Sequence, residues 1–125
     1  MWERYENNPC GKITGDCVIR AISKALGREW YDVYIDLTIE GLSQCDWGNN
    51  NAVWDAYLRK NGYNRHLITN DCEGCYTFED FANEHPKGTY ILATGAHLAT
   101  IIDGTLYDSW NSLRESPILY YQRES

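Results

Sequence analysis

The chain has 125 residues, of which 43% are hydrophobic and 14% aromatic, and 11 Lys and Arg against 18 Asp and Glu give a net charge of −7. That length is expected to form one domain spanning residues 1–125, and ten Tyr with five Trp exclude a disordered chain, which would be poor in aromatics. A phosphate-binding surface wants the opposite charge, so neither nucleic acid nor an anionic membrane is an expected partner. No apolar run approaches the roughly 18 residues of a membrane span. The start, Met1 to Glu6, lacks the basic-then-apolar pattern of a signal peptide, and a cytoplasmic location is expected.

The first fifteen residues read as irregular, with turn chemistry at Asn7-Asn8-Pro9-Cys10-Gly11. Asp16 is a good N-cap for a first helix. Val18, Ile19, Ile22, Ala25 and Leu26 recur there at helical spacing, and Gly27 is placed to end it. A second helix is predicted from about Trp30 to Gly41 and a third over Asn51–Lys60. The period then changes. Tyr63–Thr69 reads as a strand, followed by the Cys72-Glu73-Gly74-Cys75 loop, and Thr77 with Asp80 resembles a capping box for a short helix ending before His85. Strands are predicted over Thr89–Thr94, His97–Ile102, Thr105–Trp110 and Ile118–Gln122. Helices first and strands later make an α+β arrangement.

Five cysteines, at positions 10, 17, 45, 72 and 75, cannot all pair within the chain. Without an export signal, reduced thiols are the default, and cysteine then means packing, metal or catalysis. Cys72 and Cys75 form a lone CxxC, whereas zinc takes four ligands. Cys10, Cys45, His66 and His85 show no spacing that completes a site, so no metal or cofactor is expected, and a plain turn is the simplest account. His66 and His85 read as satisfied or surface residues. The acids Asp32, Asp36, Glu40, Glu79 and Asp80 read as solvated helix faces.

Cys17 falls in the first turn of helix one, where free backbone N–H groups and the helix dipole favour a thiolate. A nucleophilic cysteine also needs a base within reach, and the C-terminal hairpin offers one. Asp103-Gly104 implies a two-residue turn, which pairs Ile102 with Thr105, Ile101 with Leu106, Thr100 with Tyr107, Ala99 with Asp108 and His97 with Trp110. Alternation then puts His97, Ala99, Ile101, Leu106, Asp108 and Trp110 on one face. Asp108 becomes the diagonal neighbour of His97, about 7–8 Å away between backbones, and is placed to orient the imidazole. Trp110 is expected to cover that ring.

Gly15-Asp16-Cys17 opening a helix, Gly95-Ala96-His97 on a strand and Tyr107-Asp108 on the next resemble papain-like cysteine peptidases in compact form, such as bacteriocin leader peptidases. Asn8-Pro9, the stretch from Gly15 to Leu26 and Gly88–Asp108 are similar to short phage and prophage proteins of papain-like type. The likeness spans nearly the whole chain, but only the Cys-His-Asp set is specific to activity. It implies a papain-like fold, with N-terminal helices, the nucleophile at the start of the first, packed on a C-terminal antiparallel sheet. It also implies hydrolysis of a peptide or protein substrate by Cys17, His97 and Asp108, in the host cytoplasm if phage-encoded. Many relatives carry Gln about six residues before the nucleophile, where this chain has Gly11. Asn8, stiffened by Pro9, is the expected amide donor to the oxyanion, with Asn7 as the neighbouring choice. The competing expectation is a catalytically retired scaffold that sequesters a host factor.

Overall fold

The computed structural model describes residues 1–69 and 74–123. Its elements are β1 (Trp2–Arg4), α1 (Cys17–Leu26), α2 (Trp30–Ser43), α3 (Asn51–Lys60), β2 (Tyr63–Leu67), α4 (Phe78–Glu84), β3 (Thr89–Ala93), β4 (Leu98–Ile102), β5 (Thr105–Asp108) and β6 (Leu119–Arg123). Among the described residues these make an α+β structure of four helices and one six-stranded sheet, ordered β1-β5-β4-β3-β6-β2. No helix among them is long and apolar enough to cross a membrane.

Alternation along β3 divides the core. Ile91 and Ala93 face α1, α2 and α3, in a cluster with Val18, Ile22, Val33, Leu37, Leu58 and Tyr121. Tyr90 and Leu92 face the other way and pack with Phe78 and Phe81 of α4 and with Ala99, Ile101 and Leu106 of the hairpin. The sheet is thus covered on both faces, by three helices and by one. Ile22, fully buried on α1, anchors the larger cluster, and its truncation to Ala would cost about 2–5 kcal/mol.

Helix boundaries follow local chemistry. Gly27 adopts the left-handed conformation and closes α1 through its N–H to Lys24 O. Thr77 and Asp80 form the reciprocal capping box of α4, and the helix ends at its C-cap, His85. Three predicted features are corrected. Helix α2 does not stop at Gly41 but runs to Ser43, because that glycine serves close packing: a Cβ there would stand 2.5 Å from the Asp46 carbonyl oxygen. The N-terminal segment is not wholly irregular, since Trp2–Arg4 pairs in parallel with Leu106–Asp108. Glu40 is not a solvated acid; it is 8% exposed and held by Lys60 Nζ at 2.7 Å.

The hairpin register is the one the turn dictates, with Ile102 opposite Thr105, Ile101 opposite Leu106 and Thr100 opposite Tyr107. Beyond that the expectation fails. β4 begins at Leu98 and β5 ends at Asp108, so His97 and Trp110 lie outside the strands.

Candidate active site

Three elements converge at the end of the hairpin. Cys17 is the first residue of α1, which packs across β3, β4 and β5. His97 immediately precedes β4, and Asp108 is the last residue of β5. Ala99, Ile101 and Leu106 belong to the α4 side of the sheet, whereas Cys17 packs against the α1 side. The expected single shared face is therefore not how the residues meet. His97 and Asp108 come together past the paired rungs, where the imidazole is free to turn toward the helix.

His97 Nε2 lies 2.6 Å from Asp108 Oδ2. A carboxylate there accepts the Nε2–H, which leaves Nδ1 as the nitrogen for a second partner. The Cys17 thiol lies close enough to the His97 ring and to the Leu98 backbone N–H for both to act on it. Burial alone would raise the thiol pKa. The His97 hydrogen bond, the Leu98 N–H and the charges of His97 and Arg20 outweigh it and bring the value down. Burial would lower the His97 pKa, but its bonds to Asp108 and Cys17, with their charges, push it up to about 9. Each group moves toward its charged form, as a thiolate–imidazolium pair requires.

Asp108 is 1% exposed, and both its oxygens are used. Oδ2 accepts from His97 and from Ser112 Oγ at 2.6 Å; Oδ1 accepts from Ser109 N–H at 2.8 Å and from Arg20 Nη2 at 3.2 Å. Burial would raise this carboxyl, yet the His97 and Ser112 hydrogen bonds, the His97 charge and the Ser109 N–H hold it below the usual range. A buried carboxylate with four donors has little freedom to turn.

Behind it stands Arg20, one turn after Cys17 and 5% exposed. Its Nη1 donates to Asp16 Oδ1 at 2.9 Å and lies 3.8 Å from Glu6 Oε2. Trp30 Nε1 donates to the other Asp16 oxygen at 2.9 Å. Asp16 does occupy the N-cap position, but its side chain makes no cap hydrogen bond and is spent on Arg20 and Trp30 instead. Neither Arg20 nor Ser112 was predicted. The pairing of Arg20 with Asp16, though not its burial, could have been suspected from their spacing of four residues, since opposite charges so spaced meet on a helix. Nothing local marks Ser112.

The remaining expected residues are placed as follows. Trp110 is exposed, with its ring centroid 5.2 Å from that of His97 at 43°. Asn8 makes a turn, its Oδ1 accepting from Cys10 N–H at 2.9 Å. Asn7 Oδ1 is buried with no hydrogen-bond partner among the described residues. Asn8 also borders a groove of about 680 Å³ whose lining includes Gly15 and Asp16, the two residues before Cys17, and the exposed rings of Tyr34 and Trp47.

Cys10 and Cys45 are free and exposed. Cys75 is disulfide-bonded, contrary to the expectation of reduced thiols throughout, and Cys72 lies outside the described residues. No cluster of three or more potential metal ligands occurs among the described residues. No protein-family model, curated protein or solved structure matches this chain.

Proposed function

We propose that the protein is a thiol hydrolase of the compact papain-like type, of the kind encoded by phages and prophages, acting on an amide, peptide or isopeptide bond. The observation that carries this is the convergence of the three side chains: His97 Nε2 stands 2.6 Å from Asp108 Oδ2, and the same imidazole acts on the Cys17 thiol so that each moves toward its charged form. A nucleophile opening a helix that packs on a largely antiparallel sheet, with the base beside a hairpin, supports the papain-like assignment.

In this reaction the Cys17 thiolate attacks the substrate carbonyl carbon, forming a C–S bond and an oxyanion. The Cys17 backbone N–H, at the head of α1, is the first donor to that oxyanion, and an Asn8 amide is the second. The His97 imidazolium gives its proton to the leaving nitrogen as the C–N bond breaks. Water then attacks the thioester, His97 takes its proton, and the acid product leaves with the thiolate restored. Asp108 stabilises the imidazolium throughout. The groove lined by Gly15 and Asp16, residues that precede Cys17 in the chain, offers a peptide or protein substrate an apolar surface. Nucleic acid and membrane stay outside this reading, and its setting is the cytoplasm, that of the host for a phage protein. The Cys75 disulfide is the feature that pulls against a reducing compartment.

The test is acyl transfer from a nitrophenyl ester at neutral pH, followed by mass spectrometry. The expected result is an acyl adduct on Cys17 ahead of Cys10 and Cys45, with turnover that is lost in His97→Asn. Equal acylation of the three thiols without turnover would favour the retired scaffold.

A further inference from the structure

The charged cluster behind the nucleophile has a member that thiol hydrolysis does not itself demand. Arg20 is buried, sits on the same helix as Cys17 and bridges two carboxylates, Asp16 at 2.9 Å and Asp108 at 3.2 Å. A buried guanidinium is costly to desolvate, and its fork geometry suits two carboxylate partners at once. We propose that Arg20 is a positioning residue that sets the pH at which Cys17 becomes a thiolate, by adding its charge near the sulfur and by holding the carboxylate that orients His97. This rests on the thiol-hydrolase reading and adds regulation of the same site.

The charges around the Cys17–His97 pair come from three elements. Helix α1 supplies Asp16 and Arg20, the hairpin supplies Asp108, and the N-terminal segment supplies Glu6, 3.8 Å from Arg20. Lys24, a turn further along α1, lies over the rings of Tyr5 and Tyr107, at 4.9 and 4.2 Å from their centroids. Three carboxylates thus crowd one guanidinium. Without Arg20 the local field turns negative, which opposes a thiolate. If Asp108 answers by taking a proton, the imidazolium loses its partner and the thiolate is opposed again. Both routes move the thiol pKa the same way, upward.

The experiment is the pH dependence of Cys17 alkylation by iodoacetamide in the full chain, read by mass spectrometry with Cys10 and Cys45 as internal references. In Arg20→Gln the acid limb of the Cys17 profile should rise by about one pH unit, which is a roughly tenfold lower rate at any pH on that limb. Arg20→Lys keeps the charge and should return the limb most of the way to wild type. A residue that only supports the fold would lower the amount of reactive protein without moving the limb. Arg20→Gln strands two buried carboxylates, so the pair Asp16→Asn and Asp16→Asn/Arg20→Gln repeats the comparison where only one is stranded, and the double variant should have the higher limb. Unchanged limbs in both comparisons, or a Lys variant no different from Gln, would overturn the role of the Arg20 charge. Absence of selective Cys17 labelling in the wild-type protein would instead overturn the thiol reading itself.

Discussion

Two clusters in this molecule use the same chemistry to different effect. In one, Asp108 and Arg20 have side chains only 1% and 6% exposed, and they back a histidine and a cysteine. In the other, Arg28 meets both Asp36 and the Tyr57 hydroxyl on the surface between α2 and α3, with the Arg and Asp side chains 39% and 31% exposed. Burial, with the hydrogen bond and charge of Asp36, pushes Tyr57 up to about 12, far from any working pH. The buried cluster moves a thiol and an imidazole whose ordinary values already lie near neutrality. A network of this kind affects protons near neutrality only where the groups it touches titrate in range.

The largest contrast comes from removing the Cys17 thiol. Cys17→Ala should abolish selective iodoacetamide labelling near pH 6, while the melting temperature moves by only a few degrees, because Ala is well tolerated in a first helical turn. Loss of the fold would mean that the thiol is chiefly a packing residue.

Next comes Asp108→Asn. It removes the charge opposite both His97 and Arg20, so the His97 pKa should fall well below 9 in an NMR titration. Breaking a buried pair of this kind costs about 3–5 kcal/mol, measurable by denaturant unfolding. Asn111→Ala should change neither quantity, since Asn111 is exposed and its side chain accepts from Leu113 N–H rather than from any residue of the site. An equal response at position 111 would move the third member of the site off β5.

A smaller effect concerns stability against pH. The folded His97 value lies above its ordinary 6.5, so its contribution is full below pH 6.5 and is lost as pH rises through about 9. The lowered Cys17 thiol contributes with the opposite sign over this range, so in a Cys17→Ala background unfolding free energy should drop more between pH 6 and 10 than in Cys17→Ala/His97→Asn. Parallel curves would mean that the imidazolium contributes nothing to the fold.

The smallest belongs to the surface cluster. Asp36→Asn should cost no more than about 1 kcal/mol, as exposed pairs do, and should leave Cys17 labelling unchanged. A shifted labelling profile would show that the two clusters communicate.

What the sequence disclosed follows the range of the interactions involved. Helix α1, the Thr77 capping box and the Asp103-Gly104 hairpin rest on residues within a few positions of one another, and they stand as expected. The meeting of Cys17 with His97 and Asp108 was inferred from a resemblance and from alternation along strands. The residues do meet, but at the ends of β4 and β5 rather than on the face that Ala99, Ile101 and Leu106 share. Strand β1 escaped notice because three residues carry no period, and its partner β5 lies about a hundred positions away. Arg20 escaped because a lone arginine in a helix reads as solvated, and its burial depends on Asp108, 88 residues later.

On the proposed reading, Asp108 and Cys17 together hold His97 as an imidazolium at neutral pH. An NMR titration of the His97 ring in the intact protein reads this out. The ring should stay protonated through pH 7 and titrate near 9. A midpoint at the ordinary 6.5, with Cys17 no more reactive than Cys10 and Cys45, would contradict it.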